Sequence, residues 1–152
     1  MENTTRNNMI TVENTRIFGR NFSGEEKRFN PAGKRTFCLA LPFALGQEME
    51  QAGWNVKFSQ PLDPTDEPGA YVPVEVSFDG RPPKIFIIDS TGKHQINKET
   101  VNTLDWLDIR AVDATINGFT WDDHGTARIK AYLRELYIIP DESPLDRKYN
   151  QM

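Results

Sequence analysis

Alternating hydrophobic and polar positions predict β-strands along most of this chain. Residues 10–22 alternate well enough for one long strand, whose first half is apolar and whose second half is basic and aromatic. Because only the first half can face a core, we expect this strand to leave the core and curl outward. The stretch YVPVEVSF alternates cleanly and puts four apolar residues on one face. Such alternation is typical of a sheet with one buried and one solvated face.

Hairpins connect several of these predicted strands. DIRAVDATINGFTW and TARIKAYLRELYII both have strand periodicity, and DDHG between them is a good hairpin turn. Nearer the N-terminus, SGEEKRFNPAGK predicts a hairpin loop, and RTFCLAL is its returning strand. WNVKF indicates a further strand, and KIFIIDS indicates a buried strand that the polar loop TGKHQ follows.

Two short segments favour helix. Pro42 can occupy the first position of a helix that places Leu45 and Met49 on one face and ends at Gly53. A second short helix is predicted in NKETVNTLDWL, with Asn97 as its cap.

These elements predict a mainly β protein of six to seven strands with one or two short helices. Strands joined mostly by hairpins, with a helix between the early strands, favour a small antiparallel barrel or sandwich. A five-stranded Greek-key barrel of the OB type, with extra strands, fits the length. We expect a single domain over residues 9–140, a disordered N-terminus over 1–8 and a flexible tail over 141–152.

The composition is that of an ordinary globular domain. The chain has 152 residues, of which 38% are hydrophobic and 26% charged. No apolar run is long enough to cross a bilayer, and MENTTRNNMITV lacks the pattern of a signal peptide. Cys38 is the single cysteine and lies in a predicted strand, so we expect a buried thiol. These features favour a cytoplasmic protein without membrane contact.

The charge is unevenly distributed, although the formal net charge is −4. Residues 1–41 contain seven Lys and Arg against four Asp and Glu, which gives this part +3 and the remainder −7. Such asymmetry creates a local positive field within an acidic protein.

The positive part coincides with a stretch in which cations and phenylalanines interleave, RIFGRNFSGEEKRFNPAGKRTFCLAL. Bases stack on aromatic rings, and Lys and Arg follow the phosphates, so this pattern predicts a single-stranded nucleic-acid surface. The alternative is that Phe18 and Phe37 belong to the core and the cations form a solvated edge; for Phe37 we prefer this core position. Phe22 and Phe29 lie in the polar loop, where we expect exposed rings. The candidates here are Arg16, Phe18, Arg20, Phe22, Lys27, Arg28, Phe29, Lys34 and Arg35.

The last predicted strand also combines basic and aromatic residues. Its basic and aromatic face consists of Arg128, Lys130, Tyr132 and Arg134, and small apolar residues alternate with them. A solvated strand face balanced by acids elsewhere is the alternative. Trp54 is a further candidate stacking platform, although all three tryptophans also suit a core or half-buried position.

Catalytic patterns are weak. The acids match no metal-binding spacing, and the two histidines lie in predicted loops without partners for a zinc site or a nucleophilic triad. The glycine-rich phosphate-loop and dinucleotide motifs are absent from the sequence, so we expect no cofactor and no metal. Two other classes stay open: a metal-dependent nuclease that uses Asp89 and neighbouring acids, and a structural or assembly β protein.

Four blocks in a fixed order resemble the single-stranded DNA-binding proteins of tailed bacteriophages. They are ENTRIFGRNFSGEEKRFNPAGKRTFCLAL, GWNVK, YVPVEVSFDGRPPKI and GTARIKAYLRELYI, and they span most of residues 13–139. The resemblance implies an OB-type barrel whose groove holds single-stranded DNA during phage replication or recombination in the bacterial host cell. By position it places five residues at the DNA, namely Arg16, Arg20, Arg28, Phe29 and Arg35.

The function expected from residues and resemblance together is non-enzymatic, sequence-independent binding of single-stranded DNA. Replication or recombination proteins are candidate partners, and the sequence leaves a homo-oligomer open. Many proteins of this functional class end in an acidic tail with a terminal aromatic residue, which recruits partners. PDESPLDRKYNQM has few acids and departs from that pattern.

Overall fold

The structure is a computed structural model that describes residues 8–28, 30–61, 63–66, 68–142 and 145. Nine strands, one α-helix and one 3₁₀ helix are found among these residues. The strands are β1 (Met9–Thr15), β2 (Ile17–Asn21), β3 (Arg35–Leu41), β4 (Lys57–Ser59), β5 (Gly69–Val76), β6 (Lys84–Asp89), β7 (Gly92–Ile96), β8 (Ile109–Asp123) and β9 (Thr126–Pro140). The helices are α1 (Phe43–Ala52) and the 3₁₀ helix (Val101–Asp105).

The strands form one curled sheet in the order β1-β8-β9-β5-β3-β2, with β4, β6 and β7 attached at its sides. The first and last strands of this path follow one another along the chain. Where they meet, the Ala40 N–H donates to the Arg16 carbonyl at 2.9 Å, and the Thr15 hydroxyl donates to the Ala40 carbonyl at 2.7 Å. The sheet therefore curls back on itself as in an OB-type barrel, although β1 and β2 do not pair with each other.

Most strand pairs are antiparallel, as predicted, but β9 pairs in parallel with both β5 and β6. The long β9 makes this possible. Its first half lies beside β5, and its second half extends past β5 to reach β6. The mixed pairing was not predicted, because alternation identifies strands but not their neighbours.

The single long strand predicted over residues 10–22 is wrong. Asn14 has φ of 52°, and its N–H donates to the Asp113 carboxylate at 2.7 Å. This kink ends regular pairing, so β1 pairs with β8 and β2 pairs with β3. Gly19, with φ of 58°, adds a second irregularity within β2. The two kinks change which residues face inward, and residues beyond Gly19 turn toward the core.

The core fills the inside of the curled sheet. Val72, Val74 and Val76 of β5 are buried, as their alternation predicted, and Phe37 is buried too. In β9 the buried residues are odd-numbered up to Leu133 and even-numbered from Leu136. The cause is a β-bulge: Thr115 pairs with Glu135 and Ile116 with Leu133, which leaves Arg134 as the extra residue.

The predicted first helix is confirmed as α1. Gly53 follows it with φ of 111°, and the N–H groups of Gly53 and Trp54 donate to carbonyls of its last turn. Of the strand predicted in WNVKF, only Lys57 and Phe58 belong to a regular strand, which is β4.

Two predictions in the middle of the chain need correction. TGKHQ is not a loop, because β7 pairs with β6 in a hairpin and Lys93 lies opposite Ile88. The short helix predicted in NKETVNTLDWL is present as the 3₁₀ helix, but Asn97 is not its cap: the Asn97 side chain accepts bonds from the Glu99 and Thr100 N–H groups in the turn before it.

At the chain ends, the Asn8 carbonyl accepts a bond from the Gly118 N–H at 2.7 Å, and Glu142 accepts two bonds from Ser90. The predicted disordered N-terminus over residues 1–8 lies outside the described residues, except for Asn8. The predicted flexible tail over residues 141–152 also lies outside them, except for Asp141, Glu142 and Leu145.

Candidate nucleic-acid interface

A groove of about 630 Å³ runs over the outer face of β3, β5, β9 and the distal half of β8. Its walls combine aromatic, cationic and polar side chains, while the inner faces of the same strands form the core. The lining residues used below are Lys34, Thr36, Glu75, Phe119, Trp121, Asp123, Arg128, Lys130 and Tyr132.

The end of the β8–β9 hairpin provides the aromatic part of the groove. Phe119 lies opposite Lys130 and Trp121 lies opposite Arg128, so each ring stands beside a cation on the same face of the sheet. Phe119 is 58% exposed and Trp121 is 42% exposed. The register follows from a two-residue turn, His124 and Gly125, both of which have positive φ, as tight hairpin turns require.

The cations of β9 are held in place by carboxylates. The Lys130 Nζ lies 2.8 Å from Glu75 Oε1 on β5, and 5.4 Å from the centre of the Tyr132 ring. This interaction, in which the Lys130 ammonium donates to the Glu75 carboxylate, is the main reason why the pKa of Lys130 is raised, so this residue stays charged at neutral pH. The Arg128 Nε lies 3.5 Å from Asp123 Oδ2 at the hairpin tip.

Trp54 does not offer the exposed ring that its predicted role as a stacking platform requires. The indole is only 5% exposed and lies beneath Gly118 of β8. The Ile129 N–H donates to the Gly53 carbonyl at 2.9 Å, which ties the same hairpin to the end of α1. Trp54 therefore supports the hairpin from the core side.

Four of the residues proposed from the sequence meet in the groove. They are Lys34, which directly precedes β3, and Arg128, Lys130 and Tyr132 of β9. Because β5 separates these strands, the groove brings together the two basic segments that the sequence singled out separately.

Phe22, Arg20 and Arg35 occupy structural positions instead. Phe22 is completely buried, and its ring stacks on Phe37 with centroids 5.2 Å apart, so the expected exposed loop ring is wrong. The Arg20 Nη1 donates to the carbonyls of Leu104 and Leu107 at 2.8 and 2.6 Å. Arg35 lies on the same face of β3 as Phe37, whereas Lys34 precedes the strand and lines the groove. The Arg35 guanidinium lies 5.5 Å from the Phe78 ring centre.

Other proposed residues lie outside the groove lining. Phe18 is partly exposed and contacts Tyr71 edge-on, with ring centroids 5.0 Å apart. Arg16, Lys27 and Arg28 are exposed. Two proposed residues remain: Arg134 is the half-buried bulge residue, and Phe29 lies outside the described residues.

Among the described residues, sequence reasoning missed four exposed rings: Phe119, Trp121, Trp106 and, on β4 outside the groove lining, Phe58. Phe119 was not singled out, and Trp121 and Trp106 were expected in core or half-buried positions. Trp106, at 83% exposure, follows the 3₁₀ helix. The sequence did contain a signal for Phe119 and Trp121, because a two-residue turn at DDHG places Trp121 opposite Arg128 and Phe119 opposite Lys130.

The remaining groups form local contacts. Asp89 accepts bonds from the Thr91 N–H and hydroxyl, which hold the pKa of Asp89 below its ordinary value, and His94 lies 3.0 Å away. Within the described ranges, no three metal-ligating side chains cluster. Cys38 is half-buried rather than buried, and this burial raises the pKa of its thiol. In the same part of the chain, no helix is long and apolar enough to span a membrane.

A curled OB-type sheet with a groove of rings and cations has the features of a nucleic-acid-binding β-barrel protein. Over residues 2–152 the chain matches the family described as "Putative phage ssDNA-binding domain". The chain therefore belongs to this family.

Two structures of one phage protein, with TM-scores above 0.5, agree with this fold. The single-stranded DNA-binding protein from bacteriophage Enc34 matches with a TM-score of 0.55 at 13% identity, covering 91% of this chain and 84% of that chain. The Enc34 protein in complex with ssDNA matches with a TM-score of 0.56 at 13% identity, covering 91% and 90%. The crystal structure of gp2.5, a single-stranded DNA binding protein encoded by bacteriophage T7, gives a TM-score of 0.47 at 10% identity, covering 95% and 94%. No curated protein matches the chain in sequence.

Proposed function

We propose that this protein binds single-stranded DNA without sequence preference, through the groove on the outer face of β3, β5, β9 and β8. Family membership supports this proposal. The observation that carries it is the alternation of the exposed rings of Phe119 and Trp121 with the opposite cations Lys130 and Arg128.

The spacing of the two rings suits an extended strand. Phe119 and Trp121 are two residues apart on β8, which separates their Cα atoms by about 6.8 Å. This is about twice the 3.4 Å rise between neighbouring bases of a duplex strand. Two such rings accommodate bases that have been pulled apart, and they offer nothing to bases that are still paired and stacked.

The cations fit the backbone of the same strand. Lys34, Arg128 and Lys130 line the groove beside the rings, where each can meet a phosphate. Every base has a face that stacks on an aromatic ring, whereas the phosphates carry no sequence information. A groove built from these two kinds of contact is therefore tolerant of sequence.

The biological role that fits is protection of single strands during phage DNA replication or recombination, in the cytoplasm of the infected cell. On this proposal the protein acts by binding alone, without catalysis. Single-stranded DNA is its partner, and other replication or recombination proteins are further candidates. The division into one domain over residues 9–140 with flexible ends remains part of the proposal.

Fluorescence anisotropy with labelled oligo-dT, a duplex of the same length and an RNA of the same length tests the proposal. We expect saturable binding to the DNA single strand, weaker binding to the duplex, and weakening as salt rises because counterions are released from the phosphates. Quenching of Trp121 fluorescence should accompany binding. If the protein binds no oligonucleotide at low salt, the proposal is wrong.

A further inference from the structure

Both cations that β9 contributes to the groove already have a carboxylate partner. Lys130 pairs with Glu75 at 2.8 Å, and Arg128 pairs with Asp123 at 3.5 Å. With Lys34 as the third cation, the groove lining carries a net charge of only +1. This is a low charge for a surface that would hold a polyanion.

The position of Glu75 makes its effect hard to avoid. It is paired with Thr36 on one side and Tyr132 on the other, in the middle of the groove floor, and its side chain is mostly buried. A carboxylate held there stays close to Lys130. A phosphate that approaches Lys130 must displace Glu75 or tolerate its repulsion, and a partly buried charge is only weakly screened by salt.

We propose that Glu75, supported by Asp123, determines the specificity of the groove for unpaired strands. The inference rests on the proposed function. By partly neutralising the groove, the two carboxylates weaken attraction to any ligand that offers phosphates alone. Tight binding then requires bases that stack on Phe119 and Trp121, and only an unpaired strand provides them.

The physical difference between the two ligands supports this role. Stacking is worth about 1–3 kcal/mol per base and is available only to single strands. Duplex DNA has the higher charge density, and its affinity changes more steeply per neutralised phosphate than that of a single strand. Removing the carboxylates should therefore strengthen duplex binding more than single-strand binding.

The test compares the wild type with Glu75→Gln, Asp123→Asn and the double variant, using oligo-dT and a duplex of equal length at two salt concentrations. We expect the double variant to bind the duplex about tenfold more tightly, with a steeper salt dependence, while oligo-dT affinity rises by a smaller factor. Glu99→Gln makes the same change of net charge as either single variant, but at an exposed position outside the groove lining, and it should leave the ratio of the two affinities unchanged.

The outcomes separate this inference from the proposed function. If the wild type binds no oligonucleotide, the proposed function fails. If the wild type prefers oligo-dT and the double variant keeps the same ratio, the role of the carboxylates is wrong. Circular dichroism shows whether Glu75→Gln impairs folding. If it does, Asp123→Asn alone decides the question, because Asp123 lies at the exposed hairpin tip. An unchanged ratio of duplex to oligo-dT affinity in Asp123→Asn would then overturn the inference.

Discussion

Trp54 packs directly beneath Gly118, so closely that a Cβ at position 118 would lie 2.7 Å from the Trp54 Cη2 atom. The absence of a side chain at Gly118 lets the indole support the hairpin that carries Phe119 and Trp121. A buried tryptophan therefore sets the position of two exposed aromatic residues, although it has no surface of its own to offer a ligand.

Replacing Gly118 with alanine should destabilise the protein. The added methyl group would also lie 2.5 Å from Ile129 Cγ2, so neighbouring buried groups must move, at a cost of about 1–3 kcal/mol. Chemical denaturation measures this as a lower free energy of unfolding.

The control for this prediction is a double-mutant cycle. In Gly118→Ala combined with Trp54→Phe, the smaller ring leaves room for the methyl group, so the combined loss should be smaller than the sum of the single losses. An unfolding free energy for Gly118→Ala equal to that of the wild type would contradict the packing described.

Removing either exposed ring of the hairpin should weaken binding of oligo-dT. Phe119→Ala and Trp121→Ala are each expected to lose about 1–3 kcal/mol, or about 5- to 150-fold in affinity, because each would remove one stacked base. Anisotropy titrations at fixed salt give these values, and melting temperatures should change little because both rings are largely solvated.

Trp106→Ala provides the matched comparison, since it removes an exposed tryptophan that does not line the groove. We expect its affinity for oligo-dT to equal that of the wild type. A loss as large as that of Trp121→Ala would mean that the binding path has been assigned to the wrong surface.

Arg20 and Lys34 are both basic residues of the cation- and phenylalanine-rich stretch over residues 16–41, but their substitutions should have different consequences. Arg20→Met removes two charged hydrogen bonds to the Leu104 and Leu107 carbonyls, at a cost of about 1.5–3 kcal/mol in the free energy of unfolding. The salt dependence of DNA binding should stay the same.

Lys34→Met should leave stability nearly unchanged and lower the slope of log affinity against log salt by about 0.7, because one phosphate contact is lost. The comparison requires the free energy of unfolding and the salt dependence of DNA affinity to be measured for both variants. Equal salt slopes in the two variants would show that Lys34 is no more a phosphate ligand than Arg20.

The β6–β7 hairpin should show a pH dependence that arises from Asp89. Hydrogen bonds from Thr91 hold the pKa of Asp89 below its ordinary value of 3.8. A lowered pKa in the folded state contributes stability above the ordinary value, and this contribution is lost as the pH falls through the folded value.

Thr91→Val removes the hydroxyl bond, so the wild type should be more stable than this variant at pH 7, by up to about 1 kcal/mol. The difference should shrink as the pH falls below about 3.8. Urea denaturation at several pH values gives the difference, and an NMR titration of the Asp89 carboxyl carbon gives the pKa directly. A difference that stays constant down to acidic pH would rule out Asp89 as its source.

The structure brings predicted site residues together in the groove where a residue's face could be deduced from local pattern alone. Arg128, Lys130 and Tyr132 alternate in a regular strand, and all three line the groove. The prediction failed where burial depends on a distant partner. Phe22 was expected at the surface because it borders a polar loop, but it follows the irregular strand β2 and its ring is buried against Phe37.

Local sequence is enough to specify the strand periodicity, the end of α1 and the β8–β9 hairpin, because these features depend on residues close together in the chain. Which strands are neighbours depends instead on contacts that form only in the folded chain. The pairing of Glu75 with Lys130 and the contact of Trp54 with Gly118 join residues far apart in sequence, from different strands and loops. Alternation separates two faces of a strand, but the kinks, the bulge and the parallel neighbours of β9 determine what each face meets.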